Sequence, residues 1–195
     1  MIEEILKSHL QPGNEFIYGF ADLTGLLDPK FSGFDYGISI GRKLDDGIGS
    51  INIEPTTSSS DLDSKYSIML CTDLSHKMVA TRAGLGWIGK TDLFVSKKFG
   101  PRLRLVSILI KPAVLPKSKP VDKSRCGTCN VCVDICPAKA ANGLLWDTTV
   151  KREDFFDPWK CRKQCAEFGR LRLGIDARVC GMCVASCPIS RSLTQ

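Results

Sequence analysis

The sequence has no apolar run approaching the roughly 18 residues of a membrane span, so no membrane partner is expected. It also lacks the start of an exported protein. Met1-Ile2-Glu3-Glu4-Ile5 is acidic, with no basic stretch leading into a long apolar core. A cytoplasmic location is the expectation. Histidine is scarce, with two in 195 residues. His9 stands alone, and His76 is the one that falls beside a motif. No compositional bias is present: charged residues make up 25% and hydrophobic ones 43%, which excludes wholesale disorder, collagen and coiled coil. The length suits one larger domain, or an ordinary domain plus a small one.

Cysteine is abundant instead. Nine of the ten cysteines lie between Cys126 and Cys187, in two runs. The first is Cys126-x2-Cys129-x2-Cys132-x3-Cys136-Pro137, and the second is Cys180-x2-Cys183-x3-Cys187-Pro188. The first matches the bacterial ferredoxin spacing, in which three thiolates on one tight turn cap one [4Fe–4S] cube and the fourth reaches a neighbouring cube. Crossing the runs assigns Cys126, Cys129, Cys132 and Cys187 to cluster 1, and Cys136, Cys180 and Cys183 to cluster 2. Cluster 2 is then one ligand short. The candidates are Cys161 and Cys165, with Cys161 preferred and Cys165 left as the spare. Zinc ribbons use separated Cys-x2-Cys pairs, and disulfides need an oxidising compartment, so both are disfavoured. Cys71, in an apolar stretch far from both runs, reads as a small buried hydrophobe.

Charge follows the same division. Fifteen Lys/Arg face thirteen Asp/Glu up to residue 120, and twelve face eight beyond it. Two thiolate-bound cubes would bring about four net negative charges to the second part. The basic excess therefore reads as cluster compensation, with no nucleic-acid partner expected.

Apolar periodicity predicts a helix over Ile2–Leu10 and another over Ser75–Ala83, capped by Asp73 or Ser75. Strands are expected at Phe16–Phe20, Tyr36–Ile40, Tyr66–Cys71, Leu93–Ser96 and, most strongly, Leu103–Ile110. Gly41–Ser64 reads as loop and Gly84–Gly89 as a turn. Lys111–Lys123 holds three prolines and four lysines, which is linker composition. The domain boundary is placed near residue 120, giving an α/β domain over 1–120 and a cluster domain of short helical pieces over 121–195.

Gly84-Leu85-Gly86-Trp87-Ile88-Gly89-Lys90-Thr91 satisfies both G-x-G-x-x-G and G-x-x-x-x-G-K-[ST]. Phosphate binding needs a strand before the loop and a helix after it. Here the expected order is reversed, and a Trp-Ile pair fills the loop. The segment reads as a turn packed against a cofactor or the cluster domain.

Arg82-Ala83-Gly84-Leu85-Gly86-Trp87-Ile88-Gly89-Lys90, then Phe99-Gly100-Pro101-Arg102-Leu103-Arg104, then the two cysteine runs, resemble the epoxyqueuosine reductase family, which is related to reductive dehalogenases. The likeness is strongest to short double-cluster members carrying Ser75-His76-Lys77 and a stretch such as Trp146 with Lys151-Arg152-Glu153-Asp154. The resemblance implies a nitroreductase-like α/β (α+β) domain joined to a ferredoxin-like domain with two [4Fe–4S] clusters. It implies cobalamin as an electron acceptor, bound or on a partner corrinoid protein, with flavin the lesser alternative. It implies that a cysteine between the runs completes cluster 2, which favours Cys161. Asp73 and His76 are the candidate catalytic residues. Lys77, Arg82, Gly84, Gly86, Trp87 and Lys90 are the candidate cofactor-binding ones. Epoxide reduction itself is not carried over, because Cys71-Thr72-Asp73-Leu74-Ser75 departs from the family's catalytic aspartate motif. The expected protein is an oxidoreductase of a low-oxygen setting that takes electrons from a redox partner protein, with a homodimer as one arrangement. The alternative is a non-catalytic electron-transfer module docking on a larger redox enzyme.

Overall fold

A computed structural model describes residues 2–10, 15–44, 70–111, 115–116 and 118–191. Helix α1 (Ile2–His9) precedes strand β1 (Phe16–Asp22), a 3-10 turn at Pro29–Phe31 and strand β2 (Tyr36–Lys43). Helix α2 (His76–Arg82) leads into the short hairpin β3 (Gly86–Ile88) and β4 (Phe94–Ser96), then strand β5 (Leu103–Ile110). The cysteine-rich part carries α3 (Val131–Asp134), α4 (Arg152–Phe155), α5 (Pro158–Phe168), a π turn (Gly169–Leu173), α6 (Met182–Ser186) and α7 (Pro188–Arg191).

The fold is mixed α/β with two small antiparallel sheets, ordered β1-β2-β5 and β3-β4. β2 is central, with Phe20 opposite Ile38 on one side and Ile38 opposite Ile108 on the other. Strands β1 and β2 run two and three residues beyond their expected ends, so Gly41–Lys43 is strand where loop was expected. The remainder of the expected loop, and most of the expected strand at Tyr66–Cys71, lie outside the described residues.

Ser75 caps α2, its hydroxyl accepting from the Met78 amide at 3.3 Å. Val79 and the helix's C-terminal Ala83 are buried against Ala21 of β1 and Leu23 just beyond it. Ala80 meets Ile88, Phe94 and Phe155, so one helix ties the sheet, the hairpin and the cysteine-rich part together. Each such buried side chain contributes about 1.5–3 kcal/mol relative to exposure, less for alanine.

The hairpin works through alternation along its strands. The pair Ile88 and Phe94 faces α2, while the pair Trp87 and Val95 packs with Val121, Cys126 and Ile189. The segment expected as a plain turn is therefore partly strand, because two apolar cores claim its two faces. Two glycines permit the approach. Gly84 has φ +72°, and a Cβ there would lie 2.6 Å from the Lys119 carbonyl oxygen. A Cβ on Gly86 would overlap the Val95 carbonyl.

Candidate functional site

Two cavities meet beside α2. The larger, about 830 Å³, lies among α2, the hairpin and the stretch 146–153. That volume is in the range of small-molecule pockets. Its walls carry three cation–carboxylate pairs. Lys77 Nζ donates to Asp92 Oδ2 at 2.5 Å, Arg82 pairs with Asp122, and Arg152 Nη2 donates to Glu153 Oε1 at 2.6 Å. Thr72, Ser75, Thr81, Thr148 and Trp146 complete much of the lining. With each cation already paired, the wall offers neutral arrays of donors and acceptors rather than an unbalanced positive cradle.

The smaller cavity, about 300 Å³, is lined by five cysteines: Cys136, Cys161, Cys165, Cys180 and Cys183. Leu93, Pro137, Ala138, Phe156 and Met182 supply an apolar remainder. Cys161 and Cys165 lie on helix α5, Cys183 lies on α6 with Cys180 just ahead of it, and Cys136 follows α3. Lys77 and Asp92 line both cavities and form the partition between them.

The other cysteines gather separately. Cys132 lies close enough to Cys126, Cys129 and Cys187 to feel their charge, and burial pushes its thiol up. Burial likewise pushes Cys183 up to about 11, with Cys161 and Cys180 beside it. A hydrogen bond joins Cys161 and Cys165, sulfur to sulfur 3.9 Å, raising the first thiol and lowering the second. All ten cysteines are unbridged. Among the described residues no three His, Cys, Asp or Glu side chains converge as they would on a single ion. A cube takes one thiolate per iron at separate corners, so its ligands stand farther apart than those of one ion.

The candidates from sequence fall in different places. Lys77 and Arg82 line the larger cavity. Trp87 and Lys90 turn instead to the first cysteine run: Trp87 Nε1 donates to Cys126 Sγ at 3.4 Å, and Lys90 Nζ donates to Asn130 Oδ1 at 2.7 Å. A helix precedes this glycine segment and a strand follows it, so it has no phosphate-cradle geometry. Gly84 and Gly86 serve backbone packing, as described above. Asp73 is paired with Lys30, and His76 Nδ1 lies 3.0 Å from Ser107 Oγ. Neither is among the residues lining the two cavities. Cys71 corrects its sequence reading. It is half-buried and lines the larger cavity, where Arg152 Nη1 donates to the neighbouring Leu70 carbonyl at 2.8 Å. Asp92, Asp122, Arg152 and Glu153 were not singled out as binding residues, since each becomes a wall residue through a contact distant in sequence or a loop geometry.

No family model matches the chain. Curated relatives do. An epoxyqueuosine reductase of Lactococcus garvieae is 33% identical over 135 residues, covering 68% of this chain and 37% of that enzyme. One of Pseudomonas aeruginosa is 40% identical over 67 residues, 34% of this chain and 18% of its own. The chain thus spans well under half the length of these relatives. Among solved structures, the epoxyqueuosine reductase of Bacillus subtilis, with its catalytic aspartate loop swung out of the active site, superposes with a TM-score of 0.61 at 15% identity. That match covers 97% of this chain and 65% of the other. The Streptococcus thermophilus enzyme gives 0.58 at 21%, with the same coverage.

A further epoxyqueuosine reductase structure, TM-score 0.60 at 15% identity over 97% of this chain and 65% of that one, holds an epoxyqueuosine-modified tRNA stem loop. This overturns the expectation of no nucleic-acid partner. That expectation treated the basic excess as wholly spent on cluster charge. In the fold, Lys160, Lys163, Arg170, Arg172 and Arg178 stand exposed along and after α5, where a polyanion could reach them. Among the described residues no helix is long and apolar enough to cross a membrane. Sequence likeness over two thirds of this chain and fold likeness over nearly all of it relate it to the epoxyqueuosine reductases.

Proposed function

We propose that the chain is an iron–sulfur reductase in which residues 121–195 hold two [4Fe–4S] clusters and residues 1–120, a nitroreductase-like part, help wall an acceptor site in the larger cavity. The observation that carries this reading is the shared partition: a cysteine-lined cavity and a substrate-sized cavity separated by Lys77 and Asp92 alone on their common wall. Cys126, Cys129, Cys132 and Cys187 would hold cluster 1. Cys136, Cys180, Cys183 and a cysteine of α5, Cys161 by the family resemblance, would hold cluster 2. The grouping of Cys132 with Cys187, 55 positions on, supports that crossed assignment. The clusters would supply one-electron transfer at low potential.

The chain's own residues set distance, access and orientation. Leu93, Phe156 and Met182 keep water from the cysteine cavity. The paired charges of Lys77, Arg82 and Arg152 and the threonine hydroxyls would bind a ligand rich in neutral amides. A corrinoid has such amides, and the fit is better than for a free phosphate, which needs unpaired cations. Lys77 and Asp92 would hold the acceptor next to the electron source while excluding solvent from the gap.

The RNA-bound neighbour makes a modified RNA loop the substrate class for this reading. Exposed Trp159, with the Arg162 guanidinium 5.9 Å from its ring centroid, and the basic residues after it offer stacking and phosphate contacts.

The test is an electron paramagnetic resonance spectrum of anaerobically purified, dithionite-reduced protein, with and without cob(II)alamin. Two interacting cluster signals and a protein-dependent change in the cobalt signal are expected. Clusters with an untouched cobalt signal would overturn the corrinoid acceptor and leave an electron carrier. Fluorescence anisotropy with an RNA stem loop should show salt-dependent binding weakened by Arg170→Ala and Arg172→Ala together. Equal affinity in that variant would remove this surface from the proposal.

A further inference from the structure

Helix α5 presents two cysteines to the smaller cavity, and the cavity needs one. Cys161 and Cys165 are four residues apart, so they stack on one helix face. Both line the cavity, both are half-buried, and their sulfurs are 3.9 Å apart. Cys136, Cys180 and Cys183 account for three corners of a cube there. Cys165 lies close to all three of these thiols, and Cys161 lies close to Cys183. The resemblance singles out Cys161, whereas the packing draws in Cys165. A shared corner satisfies both.

We propose that Cys161 and Cys165 are interchangeable fourth ligands of cluster 2, either one taking the same iron while the other remains a thiol hydrogen-bonded to it. This rests on the two-cluster reading above. In the exchange one iron–sulfur bond breaks and one forms. The incoming thiol gives up its proton to the departing thiolate, and no atom changes oxidation state. A separation of 3.9 Å is within what side-chain rotation can span, so the helix need not move. Every cysteine of the two runs is already assigned to a corner, so no other ligand has a spare thiol beside it. Cluster 2 therefore survives loss or capping of either α5 thiol but not of Cys136.

The test measures iron and acid-labile sulfide per chain, with spin-integrated paramagnetic resonance of the reduced full-length protein. The variants are Cys161→Ala, Cys165→Ala, the double variant and Cys136→Ala. Each α5 single variant should keep about eight irons, with distinct cluster 2 spectra because the ligand approaches from a different turn. The double variant and Cys136→Ala should each lose about half the iron. If one α5 single variant alone loses half, that residue is the sole ligand and the proposal falls. If the double variant keeps about eight irons, α5 supplies no ligand and the proposal falls with both clusters intact, whereas a parent chain holding about four irons or none would overturn the two-cluster reading itself. A variant that loses helicity by circular dichroism is replaced by its Cys→Ser counterpart and read in the same way.

Discussion

Lys77 Nζ reaches two acceptors on Asp92, the carboxylate at 2.5 Å and the main-chain carbonyl at 2.8 Å. Asp92 holds a left-handed backbone, φ +57°, at the turn between β3 and β4. The contact thus pins the hairpin turn to the first turns of α2 and closes the wall between the cavities.

Removing the cation should cost more than neutralising the carboxylate. Lys77→Met leaves Asp92 half-enclosed without its donor, and an expected loss of about 1–2 kcal/mol follows for so partly exposed a pair. Asp92→Asn keeps an acceptor oxygen and tolerates the left-handed region. Its cost should be under about 1 kcal/mol. Urea titrations of the two variants check the order, and a larger loss in Asp92→Asn would show that charge rather than hydrogen bonding holds the turn.

The glycines of the hairpin differ in cost for a geometric reason. Gly86→Ala drives a methyl into the Val95 carbonyl, and Gly84→Ala combines a close approach to Lys119 with positive φ. Each should destabilise by about 3 kcal/mol or more. Gly25 also has positive φ, +71°, but nothing lies within 4 Å of its would-be Cβ. Gly25→Ala should cost only about 1 kcal/mol. Thermal melts of the three variants separate backbone strain from packing overlap.

What could be read from sequence divides by range. Strand Leu103–Ile110 was legible because β-branched residues and strong apolarity, broken only by Arg104 and Ser107, are local signals. The cap at Ser75 and the reversed order around Gly84–Lys90 were legible for the same reason. The proposed crossed assignment of Cys187 to cluster 1 was argued from spacing alone, since the ferredoxin pattern encodes where the fourth thiolate points, and the nearness of Cys132 to Cys187 is consistent with it. The wall residues were not legible. Asp92 faces Lys77 because of a turn geometry, and Arg82 meets Asp122 across 40 positions. Cys71 read as apolar filler because its neighbours Met69 and Leu70 are apolar. Its place on a cavity wall depends on Arg152, which holds the Leu70 carbonyl from 82 positions away. The excess of cations beyond residue 120 was legible as a count, but reading it as cluster compensation alone was not warranted, because net charge carries no information about which face bears it.

His76 gives a pH dependence with a definite sign. Burial holds its imidazole below the ordinary value of about 6.5, so the folded chain keeps it neutral beside Ser107. As pH falls through about 6.5 the unfolded chain binds a proton that the folded chain refuses, and stability is lost until the lower folded value is passed. His76→Gln removes that contribution. Its stability should change less between pH 7.5 and 5.5 than that of the parent chain. Identical pH slopes from denaturant titrations would show that His76 takes its proton equally well in both states.

Lys90 occupies the lysine position of a nucleotide-binding pattern, yet its ammonium is buried and donates to Asn130 beside the first cysteine run. Nucleotide should therefore not bind, and calorimetry with magnesium ATP should record no heat of binding. Lys90→Met leaves Asn130 without its donor and loosens the Cys129–Cys132 turn. Iron should then be lost to a chelator several-fold faster from that variant. Tight ATP binding abolished by the substitution would restore the nucleotide reading.

Trp87 offers the cleanest test of how the hairpin acts on the cysteine-rich part. Its indole N–H donates to Cys126 Sγ, and the ring fills the core with Val95 and Val121. A donor to a ligating thiolate withdraws electron density and makes reduction of the bound cluster easier. Phenylalanine keeps an aromatic ring in that core and removes the donor. A hydrogen bond worth about 1 kcal/mol corresponds to roughly 40 mV for one electron. On the proposed two-cluster reading, Trp87→Phe should therefore lower the midpoint potential of one cluster by about that amount, with iron content unchanged and the other cluster unmoved. Redox titration followed by paramagnetic resonance resolves the two. A shift in both clusters, or in neither, would mean that Trp87 acts through packing alone, because a single N–H can reach only one sulfur.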